Sequence, residues 1–118
     1  MRDISKHIQR RILVLDGAMG TMIQAAALTE SQFRADLFAN HDVNLTGCND
    51  VLNLTQPEVI ESIHSRYLEA GADIIETNTF NSNSISLGDY HLGDRVYELN
   101  LAGARIARRA ADQFSTAE

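Results

Sequence analysis

The order of apolar runs and amphipathic stretches predicts an α/β protein assembled from parallel βα units, the opening of a barrel or of a doubly wound fold. Three observations carry that expectation. Ile12-Leu13-Val14-Leu15 is an unbroken apolar run that stops abruptly at Asp16-Gly17, as a strand buried on both faces would. Ile74-Ile75 repeats the pattern and turns polar at Glu76-Thr77-Asn78. A stretch of helical periodicity follows each run and another precedes the second, the crossover arrangement of a parallel sheet. Two strands are too few for such a sheet, so a further strand is expected beyond Ser115-Thr116-Ala117-Glu118.

The elements follow in order. Ile4 to Arg11 reads as a short helix feeding the first apolar run, and Asp16-Gly17-Ala18-Met19-Gly20-Thr21 reads as a turn. Met22 to Leu28 is Ala-rich and helix-prone, and Thr29 to Arg34 starts a second short helix. Asn, Asp, Gly and Thr between Ala39 and Asp50 predict a long surface loop. The clearest helix has Thr55 as N-cap, Pro57 in the first turn and Glu58 three residues after the cap. Val59, Ile60, Ile63, Tyr67 and Leu68 form its apolar face, His64 is expected to be partly exposed, and Gly71 ends it. A last helix over Asp94 to Phe114 carries Val96, Leu99, Gly103, Ile106, Ala110 and Phe114 near helical spacing, with small residues that permit close packing.

Composition excludes several classes. Ten Lys and Arg against 16 Asp and Glu give a net charge of −6, and the basic pairs Arg10-Arg11 and Arg108-Arg109 read as solvated helix faces. Nucleic acid and anionic membrane surfaces call for clustered cations, so neither partner is expected. The N-terminus has no apolar signal region, and no segment reaches the roughly 18 apolar residues of a membrane span. One cysteine, Cys48, allows no internal disulfide and no thiolate cluster, which fits a reducing, cytoplasmic setting.

Chemistry is expected at the carboxyl ends of the two apolar runs, where parallel α/β folds bind ligands. Asp16 sits at the first end, followed by Gly17 and Gly20, and Glu76 with Thr77 and Thr79 at the second. Carboxylates beside hydroxyl and backbone N–H donors suit an amino acid, whose ammonium meets Asp16 or Glu76 while its carboxylate meets the donors. The plainer alternative is that Asp16 caps the next helix and the glycines make the turn. Gly17-Ala18-Met19-Gly20-Thr21 matches no nucleotide loop, and His7, His41, His64 and His91 are scattered without metal-ligand spacing. Ser82, Ser84 and Ser86 read as loop and cap residues.

Three longer blocks carry a resemblance: Asp16-Gly17-Ala18-Met19-Gly20-Thr21-Met22-Ile23-Gln24, then Gly47 to Ile60, then Tyr67 to Ser82. In that order they resemble the homocysteine-binding domain of the cobalamin-dependent methionine synthases, within the homocysteine S-methyltransferases, from about Ile12 to Asp112. The resemblance implies a (β/α)8 TIM barrel, of which residues 1–118 are the N-terminal βα units, an incomplete fragment of the domain. It implies transfer of a methyl group from methylcobalamin, supplied by 5-methyltetrahydrofolate, to homocysteine to give methionine. Cobalamin and folate domains of a longer protein would be partners.

The family's zinc is held by three cysteines on later strands, so zinc and cobalamin belong to the full-length enzyme and neither is expected on this chain. Cys48 stands where the family usually has Asn and is not one of those ligands. The family positions that carry over for substrate binding are Asp16, Gly17, Glu76, Thr77 and Asn78, which would hold the amino-acid end of homocysteine. No catalytic residue is expected here, and the fragment alone is expected to be inactive. A related methyltransferase using betaine or S-methylmethionine is the alternative, and a non-catalytic binding remnant the third.

Overall fold

The computed structural model describes residues 3–116, so the strand expected beyond Ala117-Glu118 lies outside the described residues. Helices dominate. Helix α1, Ile4–Ile8, is capped by Asp3, whose carboxylate accepts the Ser5 N–H at 3.0 Å, and it ends three residues before Arg11. Helix α2 spans Met19–Ala25 and so begins inside the glycine-flanked turn, while α3, Glu30–Arg34, is opened by a reciprocal Thr29–Gln32 capping box. A 3-10 turn at Asn49–Val51 runs into α4, Leu52–Thr55.

Helix α5, Pro57–Glu69, starts on its proline with Gln56 as the cap position. Thr55 is therefore not its N-cap. It closes α4, with its hydroxyl turned back to the Val51 carbonyl at 3.3 Å. Gly71, at φ +110°, takes the left-handed conformation that ends the helix and that a side chain would resist. Helix α6, Ser84–Gly88, is capped by Asn83, and a 3-10 turn at Gly93–Arg95 leads into α7, Val96–Phe114.

The core lies where α7 packs along α5. Leu99, Gly103, Ile106 and Ala110 of α7 and Ile60, Ile63 and His64 of α5 are buried, and the 3-10 turn and α4 fill in from the side with Val51 and Leu52. Each fully buried Leu or Ile contributes about 1.5–3 kcal/mol of transfer free energy, so this helical interface is the main source of stability. The stretch expected as a surface loop, Ala39 to Asp50, is not wholly superficial: Leu45, Cys48 and Asp50 are buried.

The expected sheet is not there. Among the described residues the chain forms no strand and no sheet, so the α/β class and the (β/α)8 TIM barrel units are overturned in favour of a helical fold. The two apolar runs do meet in parallel register, but only through a single bridge between Leu15 and Ile74. Asp16 N–H donates to the Ile74 carbonyl at 2.9 Å, and Asp73 and Ile74 N–H both converge on the Val14 carbonyl. The Val14 N–H goes instead to the Asp73 carboxylate at 2.9 Å, which also holds Arg11 through two contacts of 2.8 and 2.6 Å.

The physical reason is the lack of neighbours. A buried parallel strand needs partners on both edges and a layer on both faces, whereas each run here has one short partner. Ile12 is consequently 89% exposed, and Val14 and Leu15 are half-exposed.

Candidate functional site

The Leu15–Ile74 bridge sets two acidic turns side by side. Asp16, half-buried, follows the first run, and its Oδ2 accepts the Glu76 N–H at 3.1 Å. Asp16 is thus tied to the second turn rather than capping α2, whose cap position is Ala18. Glu76 itself is exposed. The contact joins the Asp16 carboxylate to the backbone of the turn that carries Glu76.

Gly17 is set by α5. The place a Cβ would take lies 3.1 Å from the Tyr67 hydroxyl oxygen and 3.2 Å from its ring, and Tyr67 Oη–H donates to the Ala18 carbonyl at 2.8 Å. The absent side chain lets the phenol close against the turn. Thr77 and Thr79 share a hydrogen bond of 2.6 Å between their hydroxyls. Two hydroxyls hold two protons and this bond uses one, so the pair retains one further donor.

Asn78 faces the other way. It is buried, and its side-chain amide donates to the Asn49 carbonyl at 2.9 Å and to Asn53 Oδ1 at 3.1 Å. Asn53 in turn donates to the Asn78 carbonyl at 2.8 Å and to the Leu99 carbonyl at 3.3 Å. Close by, the buried Asp50 accepts the Ser82 hydroxyl at 2.6 Å and the Asn81 N–H at 3.1 Å. The loop bearing Thr77 and Thr79 is thereby pinned to α4 and α7 by hydrogen-bonded polar groups shielded from water. Of the expected residues, Asp16 is joined to the Glu76 backbone, Gly17 packs on Tyr67, Thr77 pairs with Thr79, and Asn78 anchors the loop from the buried side.

Three participants escaped the reading of the chain. Asn53 and Asp50 sit 25 and 32 residues from their partners, beyond the range of any local pattern. His64, expected to be partly exposed, is completely buried. Its position four residues after Ile60 and three before Tyr67 already put it on the inward stripe of α5.

Among the described residues no three His, Cys, Asp or Glu side chains are grouped to hold a metal ion. The one thiol, Cys48, is buried, and burial pushes its pKa up to about 11, away from the thiolate a metal would need. A concavity of about 620 Å³ lies between α1 and α7 and reaches Thr77 without touching Asp16, Gly17 or Glu76. The chemistry of the acidic edge, rather than the depth of that groove, therefore marks the candidate site. No helix of the described residues is long and apolar enough to cross a membrane.

Residues 13–118 match the homocysteine S-methyltransferase family. Over 114 residues, 97% of its length, the chain is 47% identical to a methionine synthase of Mycobacterium leprae (strain TN). It covers 9% of that relative, so it spans a small part of the longer protein. A family match over nearly the whole chain, with this identity to a named member, places the chain in the homocysteine S-methyltransferase family.

Proposed function

We propose that these 118 residues are the part of a methionine synthase that grips the amino-acid end of homocysteine. The observation that carries this is the tie between Asp16 and the Glu76 N–H, which joins the turn bearing Asp16 to the turn that bears Glu76 and the Thr77–Thr79 hydroxyl pair. The carboxylates receive the ammonium and the free hydroxyl proton meets the substrate carboxylate. Gly17 shapes the turn against Tyr67, and Asn78 holds the second turn in place.

These residues bind and orient; none of them activates the thiol. The homocysteine sulfur is directed away from the acidic edge, and its activation, with zinc, falls to groups outside this chain. In the longer protein the methyl group comes from methylcobalamin, recharged from 5-methyltetrahydrofolate, which makes the cobalamin and folate domains this chain's partners. The setting is the cytoplasm.

Calorimetric titration of the chain with L-homocysteine and with 4-mercaptobutanoate, which lacks the amine, tests the grip. Saturable binding of the amino acid and at least tenfold weaker binding of the deaminated analogue is the expected result. Equal affinity for the two would refute it.

A further inference from the structure

The turn that carries Asp16 and Gly17 has little of its own to hold it. Ala18 occupies the cap position of α2 in an extended conformation and makes no side-chain cap bond, since a methyl group accepts nothing. Gly17 has no side chain to anchor, and both residues are exposed. Upstream the turn is fastened at Asp16, whose N–H donates to the Ile74 carbonyl at 2.9 Å and whose Oδ2 accepts the Glu76 N–H. Downstream a side chain of α5 does the same: Tyr67 Oη–H donates to the Ala18 carbonyl at 2.8 Å, and its ring lies against Gly17.

Tyr67 is itself fixed at its backbone. Its carbonyl accepts the Ala72 N–H at 3.0 Å while the Leu68 carbonyl accepts the Gly71 N–H at 3.1 Å, the paired bonds of a Schellman ending around left-handed Gly71. Ala72 leads directly into Asp73 and Ile74, whose N–H groups meet the Val14 carbonyl. One residue thus holds the approach to the second apolar run by its main chain and the turn after the first by its side chain.

We propose that Tyr67 is a positioning residue of the amino-acid grip: its phenol holds in place a cap residue that has no side-chain bond of its own, so that the Asp16 carboxylate meets the substrate ammonium in one position. The inference rests on the grip described above and extends it to α5. Tyr67 touches no substrate and acts only through Ala18 and Gly17. A turn fixed before the ligand arrives loses less freedom on binding, which is where the gain in affinity comes from.

Tyr67→Phe separates the hydrogen bond from the packing, because it keeps the ring against Gly17 and removes the donor. In the ligand-free chain the Ala18 carbonyl ¹³C and Met19 amide ¹⁵N resonances, which belong to the peptide the phenol binds, should shift; unchanged resonances would overturn the proposal. In titration calorimetry L-homocysteine should bind Tyr67→Phe about fivefold more weakly than the parent, the scale of one neutral hydrogen bond. In Asp16→Asn the same change should cost nothing, because the group it positions has lost its charge. Ala18→Ser, which gives α2 the missing cap, should recover part of the loss in Tyr67→Phe. Equal weakening in both backgrounds, with no recovery by Ala18→Ser, would show that Tyr67 serves packing alone. Should Tyr67→Phe not fold, Ala18→Ser with and without Tyr67→Phe is compared in its place. If the parent chain does not bind homocysteine, the grip fails and this role with it, whereas equal binding by the parent and Tyr67→Phe overturns this role alone.

Discussion

Replacing Gly103 by Ala tests the closest contact in the fold. A Cβ built at Gly103 would stand 2.8 Å from Asn53 Nδ2 and 2.8 Å from Thr79 Cγ2, both distances that real Cβ atoms essentially never show. Asn53 cannot retreat freely, because it bridges the Asn78 and Leu99 carbonyls. Thr79 cannot either, since it closes the hydroxyl pair with Thr77. In an open helix the same change stabilises by roughly 0.8–1.0 kcal/mol. Here overpacking costs about 1–3 kcal/mol, and loss of a buried hydrogen bond adds about 1 kcal/mol.

The net expectation is destabilisation by about 1–3 kcal/mol, opposite in sign to the helix propensity. Gly88→Ala is the control: nothing lies within 4 Å of its Cβ position, so the gain should be about 0.4–1 kcal/mol. Urea unfolding monitored by circular dichroism reads both. A Gly103→Ala chain as stable as the parent would refute the close approach of α7 to the loop bearing Thr77 and Thr79.

Asp16→Asn should weaken L-homocysteine binding by about 1–3 kcal/mol and leave the melting temperature nearly unchanged, because the amide oxygen still accepts the Glu76 N–H; titration calorimetry with a thermal melt checks both. Burial works against Glu30's charge, yet hydrogen bonds from the Thr46 hydroxyl, the Leu45 and Thr46 N–H groups and Arg34 hold its pKa down at about 2 against an ordinary 4.5. Its contribution is present above pH 4.5 and lost as pH falls toward 2, so Glu30→Gln should cost up to about 3 kcal/mol at pH 7 in denaturant unfolding and little near pH 2. His64 has the opposite charge type: burial lowers its pKa below 6.5, so the folded chain binds fewer protons than the unfolded one in the acid range. Stability should fall as pH drops below 6.5, by at most about 1.4 kcal/mol per pH unit, and His64→Gln should flatten that slope in the same assay.

How far the residues disclosed this molecule depended on the range of the forces involved. Helix α7 was legible because Val96, Leu99, Gly103, Ile106 and Ala110 repeat at helical spacing, and α5 was legible to within two residues of its start. Thr55 misled because a Thr before Pro57 fits a cap equally well whether or not a preceding helix ends on it. The apolar runs at Ile12–Leu15 and Ile74-Ile75 announce a wish for burial, but burial depends on neighbours, and a run with one short partner stops at a bridge.

At the candidate site, the polar residues ending both runs were visible, and the bridge puts Asp16 beside Glu76. What the chain could not disclose was the direction each side chain takes. Asn78 turns inward to Asn49 and Asn53, and Gly17 leaves its space to Tyr67, because partners distant in sequence decide both.

Binding of the amino-acid end of homocysteine at the Asp16–Glu76 edge is tested most directly by a ¹H–¹⁵N correlation titration of the 118-residue chain with L-homocysteine. The amides of Asp16, Gly17 and Ala18 and of Glu76 to Thr79 should shift together and saturate on one isotherm. Saturable shifts confined to the groove between α1 and α7, with those amides unmoved, would contradict it.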